Sequence, residues 1–520
     1  MGWKTLVLLP LLLLTACANS SGAVEPKQEA TIALPQDIIT LDPLDTLDAP
    51  SITVENALFE TLVRRDDTGE IVPSLALSWS TSPDGLTWTF QLQKGVKFHD
   101  GSDFTASVVK WQFDRVLFDP DAPVRFRKQW QDVLESVEAP ASDQIVFHLR
   151  SPNVAFMELV LLSNAGFITS KENFDRRGAK EAALHPVGTG PFIFESWTPG
   201  QEVVLKKNPD YWGEKAKLDT LIFRPISEAN TQVIELETGG IHMATKLNAE
   251  DVGRLQSQAQ IEILLTPAYR TRYLRLNGTN QLLSDLRLRQ AMNYAIDGPT
   301  LVASLVGQLG VYNPAAILPR SSWAYPEEVT AYPYDPQKAR ALLEEAGWML
   351  HDQGVREKDG QPLAITFLAP SGRYAADKEI SEAVKKYLED VGFQVDVKVL
   401  EWATFLEEYR ARRFDLVLIG TDQESPEPAL FLNPLVQTGG RLNYSDYSDT
   451  LVDSWLEAAL NTSNRDERKE LYKRVLSRVE ELAWFIPLYD EVKVAALSSQ
   501  LKGYRHNPAT TRFDTLYIGR

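Results

Sequence analysis

DKEISEAVKKYLEDVGFQVDVKVL, from Asp377 to Leu400, carries the pattern that decides the fold. Ile380, Ala383, Val384, Tyr387, Leu388 and Val391 recur at helical spacing along one face, and Gly392 supplies the stop. Val395, Val397 and Val399 follow at once with a period of two. A helix that passes into a strand with almost no loop predicts an α/β layer. Upstream, Asp335 and Pro336 form a cap and first-turn pair. Ala339, Leu342, Leu343 and Ala346 keep the helical spacing, and Gly347 ends the segment. Downstream, the solid apolar run Leu416, Val417, Leu418, Ile419 predicts a buried central strand. The loop from Gly420 to Pro428 then emerges at a strand end, where open α/β sheets bind ligands.

The early third of the chain reads differently. Leu86, Trp88, Phe90 and Leu92 alternate with polar residues up to Lys94 and Gly95, which predicts a half-buried strand entering a hairpin. Ile145, Phe147 and Leu149 repeat the alternation, so antiparallel sheet with occasional helices is expected there. With 520 residues, 44% of them hydrophobic, the chain buries a large core in more than one domain. Charged residues at 24% and aromatics at 10% exclude a disordered or low-complexity protein. A formal net charge of −18 opposes nucleic-acid binding and electrostatic docking to anionic lipid. No P-loop, HExxH, GxSxG or CxxC motif occurs, so no enzyme class is signalled.

Lys4, the apolar run from Leu6 to Leu14, and the small residues Thr15 and Ala16 before Cys17 form an export signal over residues 1–16. The run falls short of the roughly 18 apolar residues of a spanning helix, and no later segment reaches that length. Leu14 to Cys17 resembles a bacterial lipobox, which implies that Cys17 carries a lipid. Cys17 is the only cysteine, so neither an intrachain disulfide nor a cysteine-based metal site competes for it. Asn19 to Thr31 reads as a polar tether.

Six blocks in order carry a resemblance to family 5 of the extracellular solute-binding proteins, the peptide and nickel-complex binding group. They are Leu41-Asp42-Pro43; VPSLALSWSTSPDGLTWTFQLQKGVKFHDG, 72–101; PVGTGPF, 186–192; NPDYWG, 208–213; DLRLRQAMNYAID, 285–297; and YDPQKARALLEEAG, 334–347. The resemblance implies an α/β, two-lobed periplasmic-binding-protein-like fold of type II, with an extra β-rich subdomain on lobe 1. Mapped onto this chain, a tether at 17–30 precedes lobe 1 at 31–58, 186–270 and 490–520. The subdomain takes 59–185 and lobe 2 takes 271–489. Gly188 and Gly190 are expected to serve turn geometry, and Trp79, Trp88 and Trp212 to pack in cores.

The implied function is capture of a short peptide or similar small solute between the lobes for the permease of an ABC importer. The protein is then an exported monomer in the periplasm or at the outer face of the membrane, lipid-anchored at Cys17, without cofactor. A zwitterion needs an acceptor for its amino group and a cation for its carboxylate. In the family these come from the loop after the central strand and the loop before the preceding helix. Here those positions are near Glu424, in TDQESPEP, and Arg373, in SGRY. Thr421 stands where relatives commonly have Trp, and Asp422 lies beside it. Tyr374, Trp402 and Tyr409 offer rings for a sugar. Nickel-chelate binding is disfavoured because His99, His148, His185, His242, His351 and His506 are scattered and none lies in 421–437. A hydrolase using Asp422 and Glu424 is the reading from another class.

Overall fold

The computed structural model describes Gly2 and residues 26–46, 48–124, 127–328, 332–351, 354–505 and 511–519. Cys17 and, apart from Gly2, the export segment lie outside the described residues, as does His506. Among the described residues, no helix is long and apolar enough to cross a membrane.

An eleven-stranded mixed sheet runs through the molecule. Its order is Gln394–Leu400, Ala364–Pro370, Leu416–Asp422, Ile261–Leu276, Phe485–Ser498, Met243–Ala244, Glu29–Leu34, Thr220–Pro225, Glu202–Lys207 and Phe192–Thr198, with Gly310–Tyr312 also on Phe485–Ser498. The two long strands Ile261–Leu276 and Phe485–Ser498 belong to both halves. Thr271 to Arg275 pair with Asp490 to Phe485 in one half, and Ile261 to Pro267 pair with Ser498 to Val492 in the other. Between Pro267 and Thr271 the register shifts, and Glu491 pairs with Gly310 instead. A broken ladder at the crossing is where two half-sheets can turn relative to each other.

The expected helix and strand are the Asp377–Glu389 helix and the Gln394–Leu400 strand, the latter parallel to Ala364–Pro370. Ile380, Val384 and Leu388 are fully buried. Asp335 caps the Pro336–Glu345 helix by accepting from the Lys338 amide at 2.9 Å. Leu416–Asp422 is central, and its solid apolar run has a direct cause. Leu416 and Leu418 enter one core, while Val417 and Ile419 enter the core on the opposite face. The other half-sheet is also covered on both faces, with Ile32 and Leu34 in one core and Ala33 in another. Two such layers are what the mixed α/β pattern demands.

A separate four-stranded antiparallel sheet takes Ala76–Thr81, Thr87–Leu92, Gln144–Leu149 and Leu134–Ala141, with its own core around Phe90, Phe113 and Phe147. The hairpin of Thr87–Leu92 lies at its start rather than at Lys94 and Gly95. Asp84 accepts from Ser82 Oγ at 2.5 Å and the Leu86 amide at 3.1 Å, closing a turn with Gly85 at φ 72°. The other neighbour of this strand, Gln144–Leu149, arrives from far along the chain. Trp88 is core, while Trp79 and Trp212 pack against it.

Two further expectations are corrected. Glu29 to Thr31, read as the end of the tether, already belong to the Glu29–Leu34 strand, because Ala30 is buried between its neighbours. Gly188 and Gly190 have no positive φ and are there for close approach. A Cβ on Gly188 would lie 2.1 Å from Leu58 O, and one on Gly190 2.7 Å from the same carbonyl group.

Candidate functional site

A cavity of about 600 Å³ opens at the crossing of the two half-sheets. Ile32, Leu34 and Met243 line it from one half, and Arg373 and Tyr374 from the other. Arg270, Glu491 and Lys493 stand on the crossing strands. A volume of this size suits a small organic solute. A second chamber of about 530 Å³ shares Asn56, Glu424, Thr511 and Phe513 with the first, so Glu424 stands where the two meet.

The loop Gly372–Ala376 is held in place by Asp377, whose carboxylate accepts from the Arg373 amide at 2.7 Å and the Tyr374 amide at 3.1 Å. Arg373 leaves this loop with its side chain 45% exposed and its guanidinium 4.8 Å from the Trp402 ring centroid. Its nearest carboxylate is Asp422, at 3.6 Å. Trp402 in turn stacks on Phe405 at 5.2 Å.

Beneath the loop lies a charged cluster built by strand register. Arg270 stands opposite Asp422, and Arg272 opposite Gly420. Arg272 is 3% exposed and donates to Asp422 at 2.5 Å and to Glu491. Its guanidinium packs 4.4 Å from the Tyr374 ring centroid. Gly420 makes room for this arginine, since a Cβ there would meet Arg272 Nη1 at 2.5 Å. Arg270 donates to Glu424 Oε1 at 2.9 Å and lies 3.6 Å from Glu491, while Lys493 donates to Glu424 Oε2 at 3.2 Å. Burial raises the Asp422 carboxyl, but Arg272, Arg270 and Arg373 outweigh it and hold the group below the usual carboxylate range. Burial pushes the Tyr374 phenol up to about 12, so it stays neutral.

Of the residues expected from sequence, Arg373, Tyr374 and Glu424 line the cavity together. Asp422 sits just behind them, bound to arginines. Thr421 does not face the cavity. It is 3% exposed and shares a hydrogen bond of 2.9 Å with the Tyr273 hydroxyl, because successive strand residues point to opposite faces. Tyr409, considered for sugar stacking, is a core residue beside Arg275. Sequence reasoning missed Arg270, Arg272, Glu491 and Lys493. The alternation of charged and apolar residues in YRTRYLRL and YDEVKV was a visible signal, but it reads as a solvated strand face until pairing is known. Among the described residues, no group of three or more His, Cys, Asp or Glu side chains is arranged to hold a metal ion.

A model of the bacterial extracellular solute-binding proteins, family 5, middle region, matches residues 70–443. The glutathione-binding protein GsiB of Escherichia coli O1:K1 / APEC is 30% identical over 508 residues, covering 96% of this chain and 94% of that protein. The periplasmic binding protein DppA of Helicobacter pylori, solved with peptide STSA, is 27% identical. Its TM-score is 0.80, over 95% of this chain and 98% of that one. NikA of Brucella suis, solved with Fe(III)-EDTA, is 26% identical with a TM-score of 0.85, over 94% of this chain and 100% of that one.

Proposed function

From a chain that belongs to family 5 of the bacterial extracellular solute-binding proteins, we propose a receptor that captures a short peptide in the cavity between its lobes and delivers it to an ABC importer. The observation that carries the peptide reading is the half-exposed Arg373 guanidinium on the cavity wall, 3.6 Å from its nearest carboxylate. A ligand carboxylate completes its hydrogen bonding. Glu424 takes the ammonium end, because each of its oxygens keeps a lone pair beyond the bond to Arg270 or Lys493. The relatives that bind glutathione or peptide STSA support the same ligand class.

Cys17, outside the described residues, is the proposed lipid attachment point, placing the receptor on the outer face of a membrane. The hydrolase reading loses support at Asp422, since a carboxyl held low by three arginines is a poor proton donor. Mass spectrometry of solute released from the native protein, followed by calorimetry, tests the proposal. A peptide bound stoichiometrically without turnover supports it, and a saccharide or a chelated metal overturns it. Arg373→Ala should weaken a free peptide by roughly 30-fold, through loss of one partner of a desolvated charge pair. A C-terminally amidated peptide should lose little further on that variant.

A further inference from the structure

The charges around the cavity do not balance. Arg270, Arg272, Arg373 and Lys493 face Asp422, Glu424 and Glu491 in one connected cluster, with the Asp377 carboxylate as a fourth acid behind the loop, where it accepts from the Arg373 and Tyr374 amides. On the cavity wall itself the cations are in excess, since Lys246, Arg270, Arg373 and Lys493 meet only Glu424 and Glu491. Lys246, also on the cavity wall, gives its ammonium to a neutral acceptor, Ser227 O, at 2.8 Å. Hydrogen-bond donors are in excess too, since Arg270 Nε and Arg272 Nε are buried without an acceptor among the described residues. This positive site is set in a chain whose formal net charge is −18. A cation excess kept in a narrow cleft, against the sign of the whole protein, focuses potential on the ligand rather than on the surface.

A simple zwitterion does not cancel that excess. Its ammonium adds one charge at Glu424 and its carboxylate removes one at Arg373, leaving the wall as positive as before. We infer that the preferred ligand is an anionic short peptide, with at least one carboxylate more than it has ammonium groups. This inference rests on the peptide reading of the same cavity. The apolar wall of Ile32, Leu34, Met243 and Phe513 receives the uncharged part of such a ligand.

Calorimetry of the full chain with Ala-Glu, Ala-Ala and Ala-Lys, and with glutathione against its diethyl ester, tests the inference. Ala-Glu is expected to bind about tenfold tighter than Ala-Ala, with Ala-Lys weakest, and glutathione to exceed its ester by a similar factor. Raising salt from low to physiological strength should narrow the Ala-Glu advantage. Arg373→Gln should reduce the spread between Ala-Glu and Ala-Lys while leaving the melting temperature near that of the native protein. Ala-Lys binding as tightly as Ala-Glu would overturn the inference and leave the peptide reading standing. Binding of none of these peptides, with a non-peptide solute found in the native protein, would remove both.

Discussion

The Arg65 guanidinium donates to the Ser425 hydroxyl at 3.1 Å, joining residues 360 positions apart in the chain. Arg65 also pairs with Glu158, to which Ser425 donates at 2.8 Å. Ser425 accepts from the Glu427 amide at 3.1 Å, and Glu427 pairs with Arg468. Arg65, Ser425, Glu427 and Arg468 are buried and the Glu158 side chain is 9% exposed, so the loop that carries Glu424 is tied to segments whose Leu62, Val63 and Val160 pack in the core of the four-stranded sheet.

Arg65→Ala should therefore loosen this contact between distant parts of the chain. Removing one member of a buried pair costs about 3 to 5 kcal/mol, because the other charge is left without a partner. The variant should scatter at small angles as a more expanded particle, melt earlier and recompact on adding ligand. An unchanged scattering profile and melting temperature would show that the contact holds nothing.

Asp490 gives a pH signature. It sits at the register shift between the half-sheets, accepting from Asn313 Nδ2 and the Arg320 amide, both at 2.7 Å. Burial pushes its carboxyl up to about 7, against its hydrogen bonds and the charge of Arg320. The folded state thus holds a proton that the unfolded chain releases near pH 4. The contribution is complete below that pH and is lost as pH rises toward about 7. In urea titrations, the native protein should lose more stability than Asp490→Asn between pH about 5 and about 7.5. Equal slopes would contradict the assignment.

Gly190→Ala should destabilise by about 1 to 3 kcal/mol through overpacking, since its Cβ would meet backbone atoms of Leu58 at 2.7 Å. Gly253→Ala, in the Ala249–Leu255 helix with open space around its Cβ, should be neutral or slightly stabilising. Thermal melts of the pair distinguish close approach from a general glycine requirement.

Cys17→Ser should leave the folded receptor intact yet release it from membranes, because attachment depends on the acyl chains. Fractionation of the variant with membranes would overturn the lipid assignment.

The sequence by itself determined the α/β layering, the helices at Pro336–Glu345 and Asp377–Glu389, the central strand, and the family. Each of these rests on local periodicity or on ordered blocks, which survive in one dimension. It also placed Arg373 and Glu424 on loops at strand ends. Only the tertiary structure decided what those residues meet. Arg270 and Arg272 reach Asp422, Glu424 and Glu491 through antiparallel pairing of strands some 150 to 220 residues apart. Buried Arg275 donates to Leu442 O at 2.6 Å and Asn443 Oδ1 at 3.0 Å. Charge on a strand reads as solvated surface until its partners are known, since burial and pairing are properties of register, and register is set by contacts distant in sequence.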